Sequence, residues 1–88
     1  MNAITNYFDL TAEQVQKLTS QHIAILVYIF NFGSITPMEA FNELWITKLA
    51  TRISEMRMLG ILFDQTYEGR VNRQGKKVHY MRYRKAAA

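Results

Sequence analysis

The sequence contains no cysteine, one proline and four glycines. Without cysteine there can be no disulfide and no thiolate-bound zinc, the usual staples of a small secreted domain. No stretch is rich enough in proline, glycine or serine to mark a linker, and no repeat or low-complexity tract is visible. Long hydrophobic runs are missing as well. The longest, Ile23 to Phe30, has 8 residues, whereas a membrane-crossing helix needs about 20. The N-terminus lacks the basic-then-apolar layout of a signal peptide. These absences predict a reduced, soluble, cytoplasmic domain with no membrane partner.

Catalytic chemistry is as poorly represented. His22 and His79 are far apart, and no HxH or HExxH spacing occurs. No glycine-rich phosphate loop is present. Glu39 and Glu43 form an i,i+4 carboxylate pair, but a helix cap and a solvated face account for them. The expectation is no catalytic residue, no cofactor, no metal and no enzyme activity.

What remains is one small domain. The chain has 88 residues, 49% of them hydrophobic, which suffices for a core, though a thin one, because a chain this short buries only about 60–65% of its unfolded surface. The net charge of +4 is unevenly placed. Residues 1–47 hold one base, Lys17, against four acids, Asp9, Glu13, Glu39 and Glu43. Residues 48–88 hold ten bases against three acids, Glu55, Asp64 and Glu68. Such a domain presents one basic surface, most often used for nucleic acid.

Local signals order the elements. Thr11 and Gln14 have capping-box spacing, and Leu10 with Val15 fits a hydrophobic staple, so a short helix is expected from Ala12 to about Leu18. Ser20 is expected to cap the next helix, with Ile23, Leu26, Val27 and Phe30 on its apolar face and Gly33 at its end. Ser34-Ile35 reads as a brief extended link. Thr36, Pro37 and Glu39 give a cap, an N1 proline and a completed box. That helix carries Ala40, Phe41 and Leu44 and stops near Trp45. After a compact turn, Thr47 is expected to cap a helix over 47–59, with Gly60 as its stop. Two β-rich segments, Ile61 to Tyr67 and Val78 to Arg84, then flank the turn formers Gly69, Asn72 and Gly75. Helix, turn, helix and hairpin in this order make a winged helix-turn-helix of the α+β class.

Certain residues strengthen this reading. Ser34-Ile35-Thr36-Pro37-Met38-Glu39-Ala40, Leu49-Ala50-Thr51-Arg52-Ile53-Ser54-Glu55-Met56-Arg57, Gly60, Gly75-Lys76-Lys77 and Arg82-Tyr83 resemble a small phage and prophage family of winged helix-turn-helix domains. The resemblance covers about residues 20–85. It implies a winged-helix fold and DNA binding. Trp45-Ile46 is bulkier than the turn the family pattern leads one to expect. Residues 1–19 lie outside the match and form an N-terminal extension, while 86–88 are a three-alanine tail of the kind cloning leaves.

The candidate site follows. At 100° per residue, Lys48, Thr51, Arg52 and Glu55 share one helical face, with Leu49, Ile53 and Met56 roughly opposite, toward the core. Arginine can fork onto guanine, and Thr47 with the helix start can hold a phosphate. Arg70, Arg73, Lys76 and Lys77 crowd the hairpin tip, with Arg82, Arg84 and Lys85 on the return strand and only Glu68 opposing them; Tyr67, Tyr80 and Tyr83 interleave and are expected mainly to pack the sheet.

The expected function is a double-stranded DNA-binding module of a small phage-type regulator, whether repressor, accessory factor or excisionase-like protein. Helix 47–59 would enter the major groove, with wing 68–78 on adjacent backbone or minor groove. In a bacterial host cell it would associate with the nucleoid. The apolar residues Ile4, Tyr7, Phe8 and Leu10 make residues 1–19 the expected homodimer contact, or else a cover for the domain's own core. The alternative is a phage protein that turns its basic face on a host protein. RNA binding is less favoured, because there is no RNP-type aromatic motif and no GxxG loop.

Overall fold

Capping chemistry sets three of the helix starts. Threonine hydroxyls at Thr11, Thr19 and Thr36 accept from the backbone N–H three residues on, and the side chains of Gln14, His22 and Glu39 accept from the threonine N–H in return. The computed structural model describes residues 2–87. Its elements are α1 (Asn2–Phe8), α2 (Ala12–Gln16), α3 (Ser20–Phe32), α4 (Pro37–Leu44), α5 (Leu49–Met58), β1 (Phe63–Val71) and β2 (Lys77–Lys85).

Several elements differ from the sequence expectation. The first ten residues, which show no clear period, form α1. Its Ile4 and Phe8, with Leu10 just beyond, are buried in the common core. Thr19 and not Ser20 caps α3. The buried face of α3 is His22, Ile25, Leu26 and Ile29, while Phe30 is 37% exposed. That helix is apolar almost all round, so its period cannot choose a seam, and the buried face includes a histidine, His22.

α5 begins later than expected. Its N-cap is Lys48, without a side-chain cap bond, and Thr47 is exposed. The preceding turn explains this shift. Trp45 adopts a left-handed conformation (φ 58°), Ile46 drops into the core at 2% exposure, and the Ile46 N–H donates to the Ala40 carbonyl at 3.0 Å. Burying Ile46 turns Thr47 outward, so helical backbone starts only after Lys48.

β1 and β2 pair antiparallel from Phe63↔Lys85 to Val71↔Lys77. Gly69, expected in the turn, instead lies in β1 opposite His79. Ile35 adds a bridge to Tyr83 on the free side of β2, with both N–H···O bonds at 2.9 Å. Phe63 and Tyr83 anchor the hairpin base among Ile35, Ile53, Met56 and Ile61. The rest of the hairpin extends away from the helices, which gives the molecule a long axis of 47 Å against 27 and 22 Å. No described helix is long and apolar enough to cross a membrane.

Candidate nucleic-acid interface

α5 buries Leu49, Ile53 and Met56, so its opposite side is left to Ala50, Thr51, Ser54, Arg57 and Met58, all exposed. Lys48 stands exposed at the start of this side. The four residues expected to share a reading face therefore divide. Lys48 and Thr51 point to solvent, whereas Glu55 turns toward α3 and Arg52 toward Glu55. Glu55 Oε1 lies 2.8 Å from His22 Nε2 and 3.4 Å from Arg52 Nη1.

The hydrogen bonds of His22 fix its tautomer. Its Nδ1 accepts from the Thr19 N–H at 3.1 Å, so the proton belongs on Nε2, which donates to Glu55. The buried Arg52 Nε has no hydrogen-bond partner. The arginine's side chain, 25% exposed, pairs only with Glu55 among the described residues, and it is Glu55 that links α5 to His22 of α3. Arg57 was not singled out from sequence. Its Nη2 donates to the Phe63 carbonyl at 3.1 Å and to Gln65 Oε1 at 2.9 Å, which ties the end of α5 to β1.

The hairpin sorts its cations by position. At the base, Arg82 Nε donates to both Glu68 carboxylate oxygens at 2.9 and 3.0 Å, and Nη1 donates to Ser34 Oγ at 2.9 Å. Glu39 is 3.7 Å away, so this arginine fastens the hairpin to the start of α4. Arg84 Nη2 lies 3.6 Å from Glu68. The hydrogen bond from Arg82, reinforced by its charge, holds the Glu68 carboxyl below its ordinary pKa, and Glu68 raises that of the guanidinium.

At the tip, Arg70, Arg73, Lys76 and Lys77 are all exposed. Among the described residues none of the four lies in an ion pair, nor does Lys48. The loop that carries them is fastened. Asn72 Oδ1 accepts from the N–H groups of Gln74 and Lys76 at 2.9 and 3.0 Å, and Gly75 supplies the left-handed residue (φ 79°) that closes the turn.

The tyrosines also divide. Tyr83 is buried and Tyr80 half-buried, as sheet packing requires, but Tyr67 is 69% exposed. Its ring stacks on His79 at 5.2 Å and 16°. Gly69 makes this possible, because a Cβ there would meet His79 Cδ2 at 2.9 Å. Sequence reasoning passed over this stack. Hairpin register was the signal, since it sets Tyr67 diagonal to His79.

A profile described as the winged helix-turn-helix domain matches residues 20–84. The chain belongs to the winged helix-turn-helix family. α4 and α5 are its helix-turn-helix, the bridge at Ile35 is the short extended link, and the hairpin is its wing. Membership in this family suggests DNA as the partner. No curated protein and no solved structure gives a significant match. Among the described residues no cluster of three or more His, Asp or Glu side chains could hold a metal ion. In residues 1–19, Ile4, Phe8 and Leu10 are buried in the chain's own core and Tyr7 is half-buried. These burials fit the alternative reading of residues 1–19, as a cover for the domain's own core.

Proposed function

We propose that the chain is the duplex-DNA-binding module of a small phage-type regulator, acting at the nucleoid of a bacterial host. The outward side of α5, from Lys48 through Thr51, enters the major groove, and the wing lies on the adjacent backbone or minor groove. Thr47, exposed beside Lys48, is placed to meet a phosphate. The observation that carries the reading is the group of four cations, Arg70, Arg73, Lys76 and Lys77, unpaired among the described residues and set around a fastened loop at the far end of the molecule. Like charges gathered there repel one another in the free protein, and a phosphate backbone turns that repulsion into attraction. Glu55 serves the site indirectly, by tying α5 to His22 of α3, and Arg52 by pairing with Glu55.

The test is binding to random duplex at low and moderate salt. Each neutralised phosphate releases a counterion, so affinity should fall steeply as salt rises. Failure to bind any duplex at low salt would overturn the proposal.

A protein partner is the second reading, and one surface favours it. Phe32 is 70% exposed, Trp45 80% and Phe41 47%, beside a groove lined by Ala24, Val27, Tyr28, Asn31 and Leu44 with Glu43 at its edge. This is the acidic half of the chain, so the same protein could engage DNA through the wing and a host protein through α3 and α4.

A further inference from the structure

The outward side of α5 has an unusual composition for a helix that meets DNA, and this bears on which bases it can read. Both arginines within the helix are engaged elsewhere. Arg52 turns to Glu55 at 3.4 Å, and Arg57 donates to Phe63 and Gln65 across the hairpin. The face left free is Ala50, Thr51, Ser54 and Met58, with Met58 87% exposed. It carries two hydroxyls, three methyl-bearing side chains and no charge. Arg57 lies exposed on the same side but is held by Phe63 and Gln65, so among the described residues Lys48 is the one cation here that is not engaged, and it precedes the first turn.

Guanine is usually read by a forked arginine or by lysine donating to O6 and N7, and adenine by asparagine or glutamine. None of these side chains lies on the free face beyond Lys48. Alanine, the threonine methyl and a thioether instead match one feature of the major groove, the C5-methyl of thymine. Three of the four free residues are also small, so the helix backbone can approach the base edges closely.

We propose that α5 recognises thymine methyl groups, making this a binder of thymine-containing sites that gains its base preference from apolar contact. The proposal rests on the reading above, that α5 occupies the major groove. It assigns a division of labour in which the wing cations supply salt-dependent affinity and α5 supplies a salt-independent preference.

The experiment uses the full chain. Duplexes that it enriches from a random pool are each compared with a copy carrying deoxyuridine for thymidine throughout. That replacement removes only the major-groove methyl and leaves the minor-groove edge, where the wing could act, unchanged. The deoxyuridine copy should bind about fourfold more weakly for each methyl that α5 buries, by the same ratio at low and moderate salt. Thr51→Ser keeps the hydroxyl and removes one methyl from an exposed position, so it should fold normally and reduce the ratio. Equal binding of the two duplexes, together with ordinary salt dependence, overturns this proposal while the parent reading stands. An undiminished ratio in both Thr51→Ser and Met58→Gln also overturns it, because the methyls would then be read elsewhere. If no duplex is bound at any salt, both readings fall together.

Discussion

The base and the tip of the same hairpin contain the same kinds of residue and treat them in opposite ways. At the base, Arg82 and Arg84 share Glu68, and Arg82 reaches across to Ser34 and Glu39. At the tip, Arg70, Arg73, Lys76 and Lys77 have no carboxylate partner among the described residues. Position along the strands decides which arginines hold the fold together and which remain available to another molecule. Composition alone cannot make that distinction.

Replacing the four tip residues together with alanine should give the largest effect. Duplex affinity should fall by about a hundredfold near physiological salt, and the slope of log affinity against log salt should become shallower by up to about four. The thermal midpoint should stay level or rise slightly, because four repelling charges are gone. A titration series at several salt concentrations, set beside a melting curve, checks both halves. An unchanged salt slope would remove the wing from the interface.

The converse change is Arg82→Ala at the base. It leaves Glu68 only Arg84 and Thr66 as partners and frees the link to α4, so Tm should drop by several degrees. Below that Tm the salt slope of DNA binding should match the parent. The same pair predicts an acid limb in stability. Arg82 depresses the Glu68 pKa in the folded state, so its contribution is complete above the ordinary glutamate range and is lost as pH falls through the depressed value. Melting curves across acidic pH should show this loss in the parent and less of it in Glu68→Gln.

Arg52→Ala places the comparison on α5. If Arg52 belongs with the braces, the variant should lose about 1 kcal/mol of stability, from its ion pair and the packing of its stem, and keep its preference among duplexes. Denaturant unfolding together with competition binding would separate the roles. Lost discrimination at unchanged stability would move Arg52 to the reading face. The smallest effect expected is a gain. Trp45 holds a left-handed backbone (φ 58°) with its side chain 80% exposed. Trp45→Gly should relieve that strain and add up to about 1 kcal/mol, without altering DNA binding.

Short-range chemistry was the most legible part of the sequence. The boxes at Thr11 and Thr36 span three residues, and both formed as read. The box at Thr19 escaped because histidine, rather than glutamate or glutamine, completes it. The order of helices and hairpin was readable from the same local signals. Helix α1 was not, since a seven-residue helix forms only through what it packs on. In the site, the tip cations could be read from sequence because a turn has no interior in which to hide them. Arg52 could not be separated from Lys48 by helical angle. The partner that decides its role is Glu55 with His22, and His22 joins from 33 residues away.

The long reach between the two ends of the chain has a consequence for how the protein is made. The Gln14 side chain donates to the Leu59 carbonyl at 2.9 Å across 45 residues, and the Phe8 ring lies 6.2 Å from that of Phe63. During synthesis α1 and α2 therefore leave the ribosome before all of the surface they cover exists. Until Ile61 and Phe63 have emerged, Ile4, Phe8 and Leu10 have no complete site to enter. Residues 4–10 can settle on α3 early, as the Tyr7–Phe30 contact shows, but their burial is completed only when β1 has emerged.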